Sequence, residues 1–166
     1  IFLSENGYND WLSFNLNILN INWGVRMILG YTTGVFDLFH VGHVNLLKNA
    51  KSLCDKLIVG VTTDELLLSY KKKNPVIPFG ERIEIVSNID CVDVVVPQVT
   101  MDKYDAWERY KFDIIIVGDD WYKTDKWNGL EEEFKDTGVK IIYHPYTSGT
   151  SSTIINDILE NRRSDL

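Results

Sequence analysis

Cysteine and basic residues are scarce in this 166-residue chain. Its two cysteines, Cys54 and Cys91, lie within apolar patterns, so we interpret them as small buried side chains rather than a disulfide or a metal pair. That usage fits a protein of the reducing cytoplasm. Lys and Arg number 17 against 24 Asp and Glu, which leaves a formal net charge of −7. This balance argues against a nucleic-acid partner or an anionic membrane surface, since either needs a basic face.

Long apolar runs and familiar phosphate loops are also missing. No apolar run approaches the roughly 20 residues of a membrane-spanning helix, so we predict no membrane insertion. The first residues have no cationic stretch before an apolar one, so we do not expect a secretory signal peptide. Neither a GxGxxG nor a Walker A pattern is present. With 45% hydrophobic residues, the chain suffices for one globular domain with a real core.

Short aliphatic runs alternate with amphipathic segments along most of the chain. We predict strands over residues 27–29, 56–61, 92–96, 114–117 and 139–143, and helices over 44–54, 63–68, 79–89, 103–110, 130–135 and 152–160. Alternation of this kind predicts an α/β fold with a doubly wound parallel sheet, Rossmann-like, in three α/β/α layers. Ligands of such sheets bind beyond the carboxyl ends of the strands.

The N-terminal part of the chain differs from the rest. Residues 1–26 are rich in asparagine and aromatic side chains, and a loose alternation over 14–23 indicates a strand. We interpret 1–26 as an extension of unknown role, 27–160 as the α/β domain and 161–166 as a C-terminal tail.

The most informative stretch runs from Tyr31 to His43 between a predicted strand and a predicted helix. Gly34 and Gly42 let the backbone approach a ligand closely. His40 and His43 are three apart, so they share one face of the first helical turn. A helix N-terminus favours an anion, and two imidazole donors beside it suit charge that develops during a reaction. Two surface histidines would be the alternative, but the glycines and the strand-turn-helix context favour a nucleotide phosphate site.

Three further stretches carry candidate residues. In the segment from Tyr146 to Thr153, a glycine permits a turn and Ser151 or Ser152 can cap the following helix. Acidic residues follow the predicted strand 114–117, where they could bind hydroxyl groups or magnesium, or form a structural turn. The lysine run 71–73 could contact phosphates or lie in solvent. An ordinary capped helix is the alternative for the first stretch.

The pattern Gly34-x-Phe36-Asp37-x-x-His40-x-Gly42-His43 resembles the HxGH nucleotidyltransferase superfamily. Within it, the chain is most similar to the cytidylyltransferase family and its glycerol-3-phosphate cytidylyltransferase group. The resemblance covers about residues 27–159 and includes the GDDW sequence at 118–121. It implies transfer of CMP from CTP to a small phosphorylated alcohol, with glycerol 3-phosphate as the first candidate, and a homodimer. Mg²⁺ is expected on the nucleotide phosphates, because it commonly binds through substrate phosphates and few protein ligands.

The resemblance also implies roles for individual residues. The expected catalytic residues are His40, His43 and Lys72. Nucleotide-binding roles are implied for those three and for Thr33, Gly34, Val35, Phe36, Gly42, Lys71, Gly118, Asp119, Asp120, Tyr146, Thr147, Gly149, Thr150, Ser151, Ser152 and Thr153. Substrate-binding roles are implied for Asp37, Lys71, Arg82 and Trp121. From its position, Asp37 is expected to brace the loop by accepting hydrogen bonds rather than to act as a base.

Two positions depart from the family pattern. Tyr146 and Asp90 stand where the family has arginine, which removes two cations and leaves the acceptor unidentified. Two alternatives therefore accompany the main hypothesis. One is an adenylyltransferase of the same superfamily, although those often have proline where this chain has Leu38. The other is a nucleotide-binding module that has lost turnover.

Overall fold

The computed structural model describes residues 26–118, 125–145 and 147–164. Strands and helices alternate through these residues. In chain order they are β1 (Leu29–Gly34), α1 (Val41–Lys51), β2 (Lys56–Thr62), α2 (Asp64–Lys71), α3 (Phe79–Ser87), β3 (Val94–Gln98), α4 (Lys103–Tyr110), β4 (Ile114–Gly118), α5 (Asp125–Phe134), β5 (Lys140–His144) and α6 (Ser152–Ser164). No helix among the described residues is long and apolar enough to span a membrane.

The strands of the described residues form one parallel sheet in the order β3-β2-β1-β4-β5. From β1 the chain runs outward to β2 and β3, then returns past β1 to β4 and β5. This order confirms the predicted doubly wound, Rossmann-like α/β fold. Ligands of such folds bind where the strand order reverses, which here is between the carboxyl ends of β1 and β4. Gly34 ends β1 and Gly118 ends β4, so both glycines border this point.

Strand side chains alternate between two apolar clusters on opposite faces of the sheet. Along β2, Leu57, Val59 and Val61 pack with residues of α1 and α3, whereas Ile58 packs with residues of α4 and α5. Both faces are therefore covered, which explains why the strands are almost unbroken aliphatic runs. Truncating a fully buried side chain such as Leu57 to alanine would cost about 2–5 kcal/mol.

The first strand was placed too early by the sequence pattern. The predicted strand 27–29 is in fact β1 from Leu29 to Gly34, and Thr32 and Thr33 belong to it rather than to the turn. β1 is hydrogen-bonded to β2 on one side and to β4 on the other, and Thr32 is completely buried. Pairing of both threonines with β2, and of Thr32 with β4 as well, holds these polar residues in a strand despite their weak apolar signal.

Several other boundaries also differ from those predicted from the sequence. Pro97 was expected to end the third strand, but it lies within β3 and is aligned with Val61. β3 is an edge strand, where a missing N–H is tolerated. Gly138 has φ +79°, as a C-cap glycine would, but α5 ends at Phe134 and Gly138 lies in the turn beyond it. α5 also begins before the predicted residue 130, and α6 continues past residue 160.

Several predictions fall outside the described residues. They are the strand over 14–23 and the site residues Asp119, Asp120, Trp121 and Tyr146.

Candidate active site

The turn between β1 and α1 has an unusual backbone. Phe36 and Leu38 have φ of +56° and +47°, a left-handed conformation that is uncommon for residues other than glycine. Phe36 is 1% exposed and packs in the apolar cluster with Leu47 and Val59. Burial of this ring holds the strained turn in place. Gly34 is needed beneath it, because a Cβ there would lie 3.1 Å from the Phe36 ring.

The two histidines cap the helix that they begin. His40 is the N-cap of α1, and its Nδ1 accepts a hydrogen bond from the Gly42 N–H at 3.0 Å. In return the His43 Nδ1 accepts from the His40 N–H at 3.3 Å. Their rings stack with centroids 4.0 Å apart. Gly42 is required here, because a Cβ would lie 2.7 Å from the His40 ring. The predicted placement of both histidines at a helix start is confirmed.

This arrangement determines which nitrogen of each ring carries the proton. Because each Nδ1 accepts from a backbone N–H, a neutral ring carries its hydrogen on Nε2. Burial lowers the pKa of His43 to about 4, assisted by the nearby His40 and opposed by Asp37. Burial also lowers the pKa of His40. At neutral pH the site therefore holds two neutral Nε2–H donors. The His40 Nε2 is buried and has no hydrogen-bond partner among the described residues.

Asp37 accepts hydrogen bonds from both sides of the turn. Its Oδ1 accepts from the N–H groups of Leu38 at 3.0 Å and Ile77 at 2.9 Å, and its Oδ2 accepts from Val76 N–H at 2.9 Å. These are the loop-bracing contacts that the sequence predicted. A direct contact of Asp37 with substrate stays a prediction.

Arg82 is completely buried beneath the same turn. Its Nε donates to the Ile77 carbonyl at 2.9 Å, its Nη1 to the Val35 carbonyl, and its Nη2 to Asp64 Oδ1 at 2.6 Å. The centroid of the Phe79 ring lies 5.8 Å from the guanidinium carbon of Arg82. The structure thus shows Arg82 bracing the site from within, while its implied contact with substrate stays a prediction. Sequence reasoning missed Asp64, because nothing in the local pattern indicates its contact with Arg82.

The segment from Thr147 to Thr153 (the serine-rich segment) meets the turn between β1 and α1 that leads into His40 (the histidine turn), as the sequence predicted. Ser152, the first residue of α6, donates from Oγ to the Asp37 carbonyl at 2.6 Å. Ser151 Oγ accepts from the Ile154 N–H at 3.1 Å and so caps α6. Thr147 Oγ1 accepts from Asn45 Nδ2 at 3.3 Å, a contact with α1 that the sequence analysis did not anticipate. The N-termini of α1 and α6 are therefore held beside each other, and both favour an anion.

The three consecutive lysines lie at the end of α2. Lys71 is the last helical residue rather than part of the loop, and Lys72 follows as a left-handed C-cap with φ +51°. All three lysine side chains are exposed. Lys73 Nζ lies 3.2 Å from Glu160 Oε1 on α6, so the lysine segment also faces the helix that begins at Ser152.

The described residues offer no grouped ligands for a magnesium ion. Among them, no three His, Cys, Asp or Glu side chains lie together so that they could hold a metal. The Asp37 oxygens are already used by backbone amides. Asp119 and Asp120 lie outside the described residues, and the expected Mg²⁺ on the nucleotide phosphates stays a prediction.

His144, the third histidine, has a structural contact. Its Nε2 lies 2.8 Å from Asn49 Nδ2, which joins the end of β5 to α1. The sequence predicted a structural role for His144 but could not name its partner, because the contact spans 95 residues of chain.

Comparison with known proteins agrees with this geometry. A family model described as cytidylyltransferase-like matches residues 31–158. The glycerol-3-phosphate cytidylyltransferase of Bacillus spizizenii is 39% identical over 125 residues, covering 75% of this chain and 91% of that protein. The FAD synthase of Thermococcus kodakarensis is 34% identical over 145 residues, covering 82% and 93% respectively. Among solved structures, the lipopolysaccharide core biosynthesis protein of Thermoplasma volcanium is similar with a TM-score of 0.62 at 29% identity, covering 75% of this chain and 99% of that one. The chain therefore belongs to the cytidylyltransferase-like family and is a nucleotidyltransferase.

Proposed function

We propose that this enzyme transfers CMP from CTP to the phosphate of a small phosphorylated alcohol, with glycerol 3-phosphate as the first candidate. The observation that carries the proposal is the pair of neutral Nε2–H donors at the start of α1, beside the N-terminus of α6. The similarity to glycerol-3-phosphate cytidylyltransferases at 33–39% identity supports the choice of nucleotide and acceptor.

The reaction is an in-line displacement at phosphorus. An oxygen of the acceptor phosphate bonds to the α-phosphorus of CTP, the bond to the bridging oxygen breaks, and pyrophosphate leaves. The acceptor phosphate is ionised at pH 7, so the step needs no general base. Catalysis then consists of positioning and electrostatic stabilisation, as in other phosphoryl chemistry.

Each part of the site has a role in this scheme. His40 and His43 donate hydrogen bonds to the oxygens on which charge increases in the transition state. The N–H groups at the starts of α1 and α6 hold the phosphates. Lys71 and Lys72 contribute mobile positive charge at the end of α2. Mg²⁺ bound to the triphosphate would neutralise part of its charge.

Adenylyl transfer is the second candidate. The observation that favours it is the similarity to FAD synthases, at 34–37% sequence identity. FAD contains an AMP group joined to FMN through a pyrophosphate bond, so making it from FMN is the same class of reaction with ATP as donor. The histidine turn serves either nucleotide, because it faces phosphates rather than the base.

Pyrophosphate release tests the proposal. Each nucleoside triphosphate is incubated with glycerol 3-phosphate, phosphocholine, phosphoethanolamine, a polyol phosphate or FMN, and a His43→Ala variant is the control. The proposal predicts the highest rate with CTP and glycerol 3-phosphate. A higher rate with ATP and FMN would move the assignment to adenylyl transfer. Saturable CTP binding without turnover across the panel would support a binding module instead.

A homodimer is part of this proposal, on the resemblance to the family alone. Light scattering at several protein concentrations measures it, and a mass of one chain throughout would contradict it.

A further inference from the structure

Three segments of the site meet at one residue, Asp37. The first is the histidine turn, whose Leu38 N–H donates to Oδ1. The second follows the lysines, and its Val76 and Ile77 N–H groups donate to Oδ2 and Oδ1 at 2.9 Å each. The third is the start of α6, where Ser152 Oγ donates to the Asp37 carbonyl oxygen at 2.6 Å. One residue therefore connects every described segment to which the proposed function assigns phosphate contacts.

The lysine segment has few other anchors. On one side it is continuous with α2, where the Lys72 N–H donates to the Leu68 carbonyl at 3.1 Å. On the other side it is held by the two amides on Asp37. The ion pair of Lys73 with Glu160 joins side chains that are 60% and 61% exposed. Exposed pairs of this kind contribute little, so the lysine segment is held mainly by α2 on one side and by the backbone bonds to Asp37 on the other.

Arg82 supports the same connection from the buried side. Its guanidinium donates to the Val35 carbonyl in the histidine turn and to the Ile77 carbonyl in the segment after the lysines. The N–H and the C=O of Ile77 are therefore both bonded to this brace, one to Asp37 and the other to Arg82.

A carboxylate beside a phosphate site would ordinarily repel the ligand. Here three backbone N–H groups surround it, and each provides a partial positive charge. We propose that Asp37 is a positioning residue and not a substrate ligand: it aligns the histidine turn, the lysine segment and the start of α6. The part of this proposal that concerns phosphate contacts rests on the proposed function.

Amide hydrogen exchange in the protein without substrate tests the bracing. In Asp37→Asn the new amide nitrogen cannot accept from a backbone N–H, so at least one of the three bonds is lost. Exchange at Val76 and Ile77 should then speed up by about tenfold to a hundredfold. The matched control is Asp102→Asn, the same substitution at an aspartate that accepts from the Tyr104 and Asp105 N–H groups at the start of α4. Both of these bonds are to Oδ1, so the asparagine oxygen can keep them. The control should leave residues 76–77 unchanged, and peptides of β2 should be unchanged in both variants.

Steady-state kinetics with CTP and glycerol 3-phosphate complete the test. Asp37→Asn should lower kcat/KM for CTP by about tenfold to a hundredfold, with accelerated exchange at residues 76–77. Lost activity with unchanged exchange would show that Asp37 acts directly on the substrate and would overturn the proposal. Faster exchange with normal kinetics would overturn it too, because the bracing would then not matter to the site. The exchange result needs no substrate, so it is separable from a failure of the proposed function.

Ser152→Ala provides an independent variant in case Asp37→Asn does not fold. It removes only the bond from Ser152 Oγ to the Asp37 carbonyl. Exchange should speed up in residues 152–156 and KM for CTP should rise severalfold, while β2 stays protected. Unchanged exchange and unchanged KM would show that Asp37 does not hold α6 in position.

Discussion

Acidification should destabilise this fold through His43. The folded protein holds His43 with a pKa of about 4, whereas a histidine in the unfolded chain has its ordinary pKa of about 6.5. Between these values the unfolded state binds a proton that the folded state does not, so stability falls as the pH falls. The contribution of His43 is complete above pH 6.5 and is lost progressively as the pH approaches 4.

The magnitude follows from the difference between the two pKa values. A difference of about 2.5 pKa units corresponds to about 3 kcal/mol, and about 2 kcal/mol of this would be lost by pH 5. That is a large share of the 5–15 kcal/mol typical of a domain. Its physical origin is desolvation, since the ring packs against Phe36 and Phe39 with centroids 5.3 and 5.2 Å away.

Urea unfolding of the wild type and of His43→Gln at pH 7.5, 6 and 5 measures this contribution. Glutamine does not titrate in this range, so its unfolding free energy should fall less between pH 7.5 and 5, by about 2 kcal/mol. Only the change with pH is compared, so a constant cost of the substitution cancels. Parallel pH dependences for the two proteins would refute the argument that His43 is buried in its neutral form.

Three further predictions follow from the site. His43→Ala should lower kcat and kcat/KM together by about 10²–10³, or roughly 3–4 kcal/mol, if its Nε2–H acts only in the transition state; a raised KM alone would show uniform binding. Arg82→Met removes the donor to the Val35 and Ile77 carbonyls and should lower the urea-unfolding free energy by about 1–3 kcal/mol, whereas Asp64 is 37% exposed and stays solvated; an unchanged unfolding free energy would contradict its bracing role. CTP should raise the melting temperature more than ATP at equal concentration, measured by differential scanning calorimetry, and the reverse order would favour adenylyl transfer.

The fold was largely predictable because buried parallel strands have a clear aliphatic pattern in the sequence. A strand covered on both faces must be aliphatic throughout, as Ile114 to Val117 is, so its position needs no knowledge of its neighbours. β1 was harder to place because its carboxyl half is Thr32, Thr33 and Gly34, which become a strand by pairing with β2 and, at Thr32, with β4 as well. The end of β3 was misplaced at Pro97 for a related reason. Proline is tolerated there because β3 lies at the edge of the sheet, and the strand order cannot be read from the local sequence.

The site was predictable where its residues are close in sequence. His40, Gly42 and His43 contact one another within one helical turn, so their spacing in the sequence determines how they are arranged. The bracing contacts are of another kind. Asp37 meets Val76 across 39 residues and Ser152 across 115. A local sequence pattern cannot reveal contacts between residues so far apart in the chain. These contacts form only when the sheet brings the loops to the same edge.

The central claim is that an oxygen of the acceptor phosphate attacks the α-phosphorus of CTP. Following the phosphate oxygens of the acceptor into the products tests it most directly. The enzyme is supplied with CTP and with glycerol 3-phosphate that is labelled with ¹⁸O in its phosphate. The masses of the products are then measured by mass spectrometry. Attack of the acceptor phosphate on the α-phosphorus predicts a CDP-alcohol that retains all of the label, together with unlabelled pyrophosphate. Labelled pyrophosphate, or CMP released without a CDP-alcohol, would contradict the account.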